Sequence, residues 1–236
     1  MKVRIKFTKQ GPVKFIGHLD VMRYFQKAIR RADIDIKYSE GFSPHQIMSF
    51  AAPLGVGLTS NGEYMDIEVN SMKDCASLLE QLSNVMVEGI CVTQCHLLND
   101  HAKNAMSLVA AADYTVSFRE GKEPSNLEGF FTGLSEFMKQ EHIFITKKTK
   151  KGEREVDLKD YIYELSVSDH TIFMKLSAGS SDNLKPELVM EAYDQWRGEH
   201  ASEFAFCIQR EEVYGNTGDE ENRVLVPLGL IGEVVE

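Results

Sequence analysis

Lys2-Val3-Arg4-Ile5-Lys6-Phe7 sets a cation beside each apolar residue, the period of two that marks a strand with one face buried. Gln10-Gly11-Pro12 breaks that strand. From His18 onward Leu19, Met22, Phe25, Ala28, Ile29 and Ala32 recur at steps of three and four, a helical stripe. Asp20 in its first turn and Arg30 and Arg31 in its last suit the helix dipole. Residues 45–52 and 63–69 read as strands, with Gly55, Gly57 and Asn61-Gly62 between them. A short helix over 74–84 and a strand over 87–97 complete a β-α-β-β-α-β order.

The pattern returns after residue 112. Tyr114-Thr115-Val116-Ser117-Phe118 is a strand, and Asn126 to Gln140 a helix with Leu127, Phe130, Phe131, Leu134 and Phe137 on one face. Strands follow at 142–147, 161–168 and 171–177, then a helix from Lys185 to Trp196 and a strand over 203–213. The expectation is an α+β protein of two tandem ferredoxin-like βαββαβ sandwiches, residues 1–98 and 112–214. Residues 98–112 form the joint, and one strand of the second half, with 148–160, exceeds the pattern. An acidic, Gly-rich tail over 215–236 is expected to be flexible or to meet a partner's basic surface.

The chain has 236 residues, 43% hydrophobic and 26% charged, which is globular composition with enough length for one large core or two smaller ones. No window holds the roughly 18 apolar residues of a membrane helix, and the charged N-terminus has no signal-peptide core. Four cysteines without such a signal fit reduced thiols, so a cytoplasmic protein with no membrane role is expected. The net charge of −10 is uneven: residues 1–50 hold ten Lys/Arg against four Asp/Glu, and the rest sixteen against thirty-two. A basic front on an acidic chain points to a localised anion-binding face.

That face has two parts. Arg23, Lys27 and Arg30, spaced by four and three, share one side of the first helix with Arg31 beside them, and Arg forks pair well with phosphate oxygens. The loop Tyr38-Ser39-Glu40-Gly41-Phe42-Ser43-Pro44-His45 then offers Tyr38, Ser39, Gly41, Phe42 and His45 as a platform for a base, or packs as a plain hairpin connection. Lys147, Lys148, Lys150 and Lys151 make a basic hairpin tip, a second phosphate contact or a solubilised turn. His18 with Asp20, Glu63 and Asp66 form a possible polar cluster in which His18 is the candidate acid or base. The alternative is that His18 caps its helix and the carboxylates solvate strand edges. No P-loop, dinucleotide glycine motif or nucleophile elbow occurs.

The run Phe15-Ile16-Gly17-His18-Leu19-Asp20, with Ala28-Ile29-Arg30-Arg31-Ala32, Tyr38 to His45, Pro53-Leu54-Gly55-Val56-Gly57 and Glu63-Tyr64-Met65-Asp66, resembles the bacterial radical-SAM-linked protein family. That family is a domain of unknown function found alone or attached to radical-SAM proteins. The match is densest over residues 1–70. Gly17 departs from the serine expected there as helix cap. The resemblance implies a radical-SAM protein as partner and RNA modification as context.

The chain is not itself read as such an enzyme. Cys91 and Cys95 match the first spacing of the Cys-x3-Cys-x2-Cys cluster motif, but position 98 is Leu98. Zinc held by Cys91, Cys95, His96 and His101 is weighed against two cysteines on one buried strand face, and the buried reading is preferred, with no metal or cofactor expected. Three functions are therefore carried forward. The first is a noncatalytic accessory protein binding structured RNA such as tRNA or rRNA. The second is a metal-independent endoribonuclease using His18, and the third a protein-only adaptor docking on a radical-SAM partner.

Overall fold

The structure is a computed structural model that describes residues 1–149, 152–180, 182–199, 202, 204–219 and 222–232, with backbone alone at 147–149 and 152–154. Its elements in order are β1 (Lys2–Lys9), α1 (His18–Arg31), β2 (Met48–Phe50), β3 (Thr59–Glu68), α2 (Cys75–Ser83), β4 (Ile90–Leu98), α3 (Ala105–Leu108) and β5 (Val109–Phe118). Then come α4 (Leu127–Phe137), β6 (Phe144–Thr149), β7 (Gly152–Asp157), β8 (Ile162–Ser168), β9 (Thr171–Ser177), α5 (Pro186–Arg197), β10 (Phe206–Asn216) and β11 (Leu225–Pro227). The chain is mixed α+β with a large, mostly antiparallel sheet. It divides into two compact units, Met1–Ala111 with Arg210–Glu236, and Ala112–Gln209.

In the first unit β1 lies between β3 and β4, antiparallel to both, and β2 pairs antiparallel with the end of β3. β10 flanks β3 on the path, and β11 pairs with β10. The alternation of β1 sends Val3, Ile5 and Phe7 into a core with Val21, Phe25 and Ile29 of α1 and Leu78 and Leu82 of α2. Phe7, Phe25 and Phe50 interlock edge to face, with ring centres 4.7–6.0 Å apart. Burying each such side chain stabilises the fold by about 1.5–3 kcal/mol. Leu19, placed on the apolar stripe by its spacing, is 59% exposed, and Val21 takes its place. Asp74 begins α2 by accepting from the Ser77 N–H at 2.6 Å.

Two departures from the sequence reading have causes in how the strands pair. Asn61-Gly62, expected between strands, lies inside β3. A Cβ on Gly62 would stand 2.6 Å from the Glu211 carbonyl oxygen and 2.9 Å from Glu212 Cα, so this glycine serves the close approach of β10 rather than a turn. Cys91 and Cys95 do not share a buried face. The register of β1 on β4 slips between Lys6↔Gln94 and Phe7↔Val92, which leaves Thr93 as a bulge and reverses the alternation. Cys95 then lies opposite core-facing Ile5 and is half-buried, whereas Cys91 is exposed.

The stretch after residue 215 is not a free tail in its described part. β11 pairs with β10, Leu228 is fully buried, and the Arg4 guanidinium holds the Leu228 and Ile231 carbonyls at 2.8 and 3.0 Å. Apolar Leu225, Val226, Leu228 and Ile231 outweigh the acidic residues that suggested flexibility.

In the second unit β8 pairs antiparallel with β9, and the order on the path is β10-β5-β9-β8. Asn126 caps α4 by accepting from the Gly129 N–H. Pro186 opens α5, and Gly198 closes it at φ +69°. Phe118, Phe130 and Tyr193 build the aromatic core, and the Tyr193 hydroxyl donates to the Phe130 carbonyl. β6, over the strand expected at 142–147, pairs antiparallel with β7 in a separate two-stranded sheet, which accounts for the strand in excess of the pattern.

Candidate functional site

α1 starts without a side-chain cap, because Gly17 stands at the cap position in extended conformation. Asp20 in the first turn compensates for the dipole. With Val21, Phe25, Ala28 and Ile29 inward, the helix turns Arg23, Lys27 and Arg30 to solvent. Arg23 meets Asp20 at 3.3 Å, both well exposed, and a pair of that kind contributes at most about 1 kcal/mol. Arg23 therefore stays available for another anion. Arg31 differs: its guanidinium lies 5.7 Å from the Tyr24 ring centre and donates to the Val85 carbonyl at 3.2 Å. Arg31 is thus partly committed to packing, with its side chain still exposed.

The loop after α1 is closed at its base. Tyr38 and Gln46 form a bridge. The Ser39 N–H donates to the His45 carbonyl at 2.8 Å, and the His45 N–H to Ser39 Oγ at 3.1 Å. His45 Nδ1 lies 2.9 Å from Ser39 Oγ. Gly41, at φ +107°, turns the apex. Phe42 follows with its ring wholly in solvent, and Tyr38 is half-exposed. A fully solvated Phe forgoes the roughly 1.5–3 kcal/mol that its burial would contribute, so packing gives no reason for an aromatic here. Buried Gln46 donates to the Gln26 carbonyl at 3.2 Å and ties the loop exit to α1 between Arg23 and Arg30.

The structure separates the four residues of the polar cluster. His18 packs edge-on against Phe50, ring centres 5.2 Å apart, and Asp20 turns to Arg23. Glu63 and Asp66, three apart on β3, face opposite ways. Glu63 holds Arg210 through Oε1 at 2.8 Å and a second bond through Oε2, and Arg210 also donates to the Ala52 carbonyl. Asp66 accepts two bonds from Arg4, at 2.8 and 2.9 Å, and one from the Ala105 N–H at 2.7 Å. Sequence reading missed Arg4 and Arg210 as partners, since nothing local distinguishes them from surface cations.

Of the basic hairpin, Lys147 and Lys148 lie on β6, whereas Lys150 and Lys151 fall outside the described residues. Among the described residues no group of three His, Cys, Asp or Glu is placed to hold a metal ion. No helix among them is long and apolar enough to cross a membrane.

A family model described as "Uncharacterized protein conserved in bacteria (DUF2344)" matches residues 2–186. No curated protein matches the chain. Among solved structures, a chain of a Cbf5-Nop10-Gar1 complex aligns with TM-score 0.42 and 12% identity over 89% of this chain and 48% of its own. This chain thus spans about half of that one. An unknown protein from Galdieria sulphuraria aligns with TM-score 0.27 and 10% identity, over 90% of this chain and 98% of its own.

Proposed function

The chain belongs to the family of uncharacterized proteins conserved in bacteria, DUF2344, and we propose that it is a noncatalytic accessory protein that binds structured RNA beside a radical-SAM enzyme. One observation carries the reading. A fully solvated Phe42 stands on a braced loop that is hydrogen-bonded to a helix with three outward cations, Arg23, Lys27 and Arg30. Phosphate neutralisation and base stacking are the two sequence-tolerant sources of RNA affinity, and this unit brings the residues for both into one segment. Arg23, Lys27 and Arg30 contact phosphates, and Phe42 with Tyr38 receives bases. Ser39 and His45 hold the loop.

Three points support this version, the first of them against the ribonuclease. His18 makes no hydrogen bond among the described residues and leans on Phe50, which leaves a ribonuclease reading without a carboxylate to orient its base. The strand orders β4-β1-β3-β2 and β10-β5-β9-β8, all antiparallel where paired in register, support two ferredoxin-like βαββαβ units with β6-β7 inserted in the second. The radical-SAM link rests on the resemblance of residues 15–66.

The test is a fluorescence titration of folded tRNA and rRNA fragments with the protein at two salt concentrations. Wild type should bind and lose affinity steeply with salt. Arg23→Glu with Arg30→Glu should bind far more weakly, its salt slope reduced by about 0.7–0.9 for each phosphate that the variant leaves unneutralised. Absence of binding at low salt refutes the RNA reading and favours the protein adaptor.

A further inference from the structure

Beside the braced loop the first unit opens a cleft of about 350 Å³. Ser39 and His45, the pair that closes the loop, stand in its lining, and Met48 and Ile67 give it apolar surface. Glu68 and Lys2, register partners across β3 and β1, add one charge of each sign. Both are already engaged: Glu68 meets Lys37 at 3.2 Å, and Lys2 donates to the Ala102 carbonyl at 3.3 Å. The remaining polar groups are different. Ser49 and Asn104 line the cleft, and neither side chain makes a hydrogen bond among the described residues.

This lining selects by chemistry. A phosphate would face the carboxylates of Asp66 and Glu68 with no uncommitted guanidinium to receive it. An aliphatic ligand would offer no partner to exposed Asn104 and would cover half-buried Ser49 without satisfying its hydroxyl. A planar heterocycle with apolar faces and a rim of donors and acceptors suits both kinds of surface. The volume sits near the low end of the roughly 300–1,000 Å³ typical of small-molecule sites, room for one base with its sugar but not for a stacked pair. Phe42 rises at the apex between Ser39 and His45, where an exposed aromatic can fill the gap left in a stack.

We infer that this cleft receives a single unstacked nucleobase of the bound RNA, its edge met by Ser49 and Asn104, while Phe42 stacks on the neighbouring base. The inference rests on the RNA reading above and adds to it a pocket that no base was assigned to. It makes the protein a device that presents one nucleotide, held out of its stack, rather than a general phosphate binder.

The experiment uses the full chain and a stem-loop RNA with 2-aminopurine, whose fluorescence rises on unstacking, placed in turn at each loop position. Wild type should raise the signal at one loop position and leave the others unchanged. Ser49→Leu, which fills the cleft, should remove the rise while binding persists, and Asn104→Ala, a milder change, should reduce it. RNA binding without a rise at any position, or a rise that survives Ser49→Leu, overturns the cleft assignment and leaves the RNA reading standing. If no RNA binds, adenosine, guanosine, cytidine and uridine are tested singly by saturation-transfer NMR. A nucleoside signal abolished by Ser49→Leu upholds the cleft without the RNA reading, and no nucleoside signal refutes it.

Discussion

Arg4 and Asp66 form a two-point ion pair, Nε to Oδ1 at 2.8 Å and Nη2 to Oδ2 at 2.9 Å, with the arginine wholly withdrawn from solvent. Arg4 also holds the carbonyls of Leu228, Ile231 and Lys103, and Asp66 the Ala105 N–H. One pair therefore fastens β1, β3, the start of α3 and the C-terminal segment. Removing one member leaves a charge buried alone, which costs about 3–5 kcal/mol. Asp66→Ala should lower the unfolding free energy by that order, read from urea denaturation. An effect within about 0.5 kcal/mol would contradict the arrangement.

Gly62 offers a second stability test. The Cβ of alanine would meet the backbone of Glu211 and Glu212, and backbone inside a paired strand has little room to yield. Gly62→Ala should destabilise by about 1–3 kcal/mol, the usual cost of overpacking. Gly11, with nothing within 4 Å of a built Cβ but a φ of +58°, gives a control in which only conformational strain acts. Thermal melts of the two variants distinguish crowding from strain.

His142 and Asp157 report on pH. The Asp157 carboxylate accepts from the His142 ring, Nδ1 to Oδ2 at 2.7 Å, and this bond raises the imidazole pKa above its ordinary 6.5. Desolvation opposes ionisation of Asp157, but the N–H groups of Lys159 and Ile143 and the His142 ring outweigh it and hold the carboxyl below its ordinary 3.8. The raised imidazole favours the folded state fully below pH 6.5, and that contribution fades as pH rises through the folded-state pKa. The depressed carboxyl contributes above pH 3.8 and loses its effect as pH falls through its own lowered value. The pair is thus strongest on the mildly acidic side. NMR titration of the His142 ring should give an elevated pKa, which Asp157→Asn returns to the ordinary imidazole range.

Phe42→Ala separates binding from folding. The ring touches water on all sides, so its loss should leave the melting temperature unchanged within about 1 °C or raise it. RNA affinity should fall by about 1–3 kcal/mol, the worth of one base–aromatic stack. A drop in stability without a change in affinity would mean that Phe42 packs in solution, and would refute its role as a platform.

The sequence makes some of this legible. β9 occupies the span 171–177 that alternation assigns it, and α1 and α5 differ from their apolar stripes by a residue or two, because these signals are local. The loop at 38–45 and the cations of α1 are visible for the same reason. Long-range partners are not. Glu63 reads as a solvating edge residue until β10 brings Arg210 beside it, and Asn61-Gly62 reads as a turn until the same strand needs the space. The bulge at Thr93 leaves no mark in composition, yet it reverses the expected facing of Cys91. The cleft lining gathers Lys2, Ser49, Glu68 and Asn104 from separate segments, a proximity that no spacing announces.

The ion pair of Glu63 with Arg210 also sets an order of assembly. The two residues are 147 positions apart, and the second unit lies as one unbroken stretch between them. As the chain leaves the ribosome, Glu63 has no guanidinium to meet until residue 210 emerges, and burying its carboxylate before then is prohibitively unfavourable. The second unit waits for the same strand, since β10 also stands beside β5, so the earlier half stays with Glu63 unpaired until nearly the whole chain has been made. Nascent chains stalled short of Arg210 should remain protease-sensitive at their N-terminal end, so that the first unit closes only once β10 has been made.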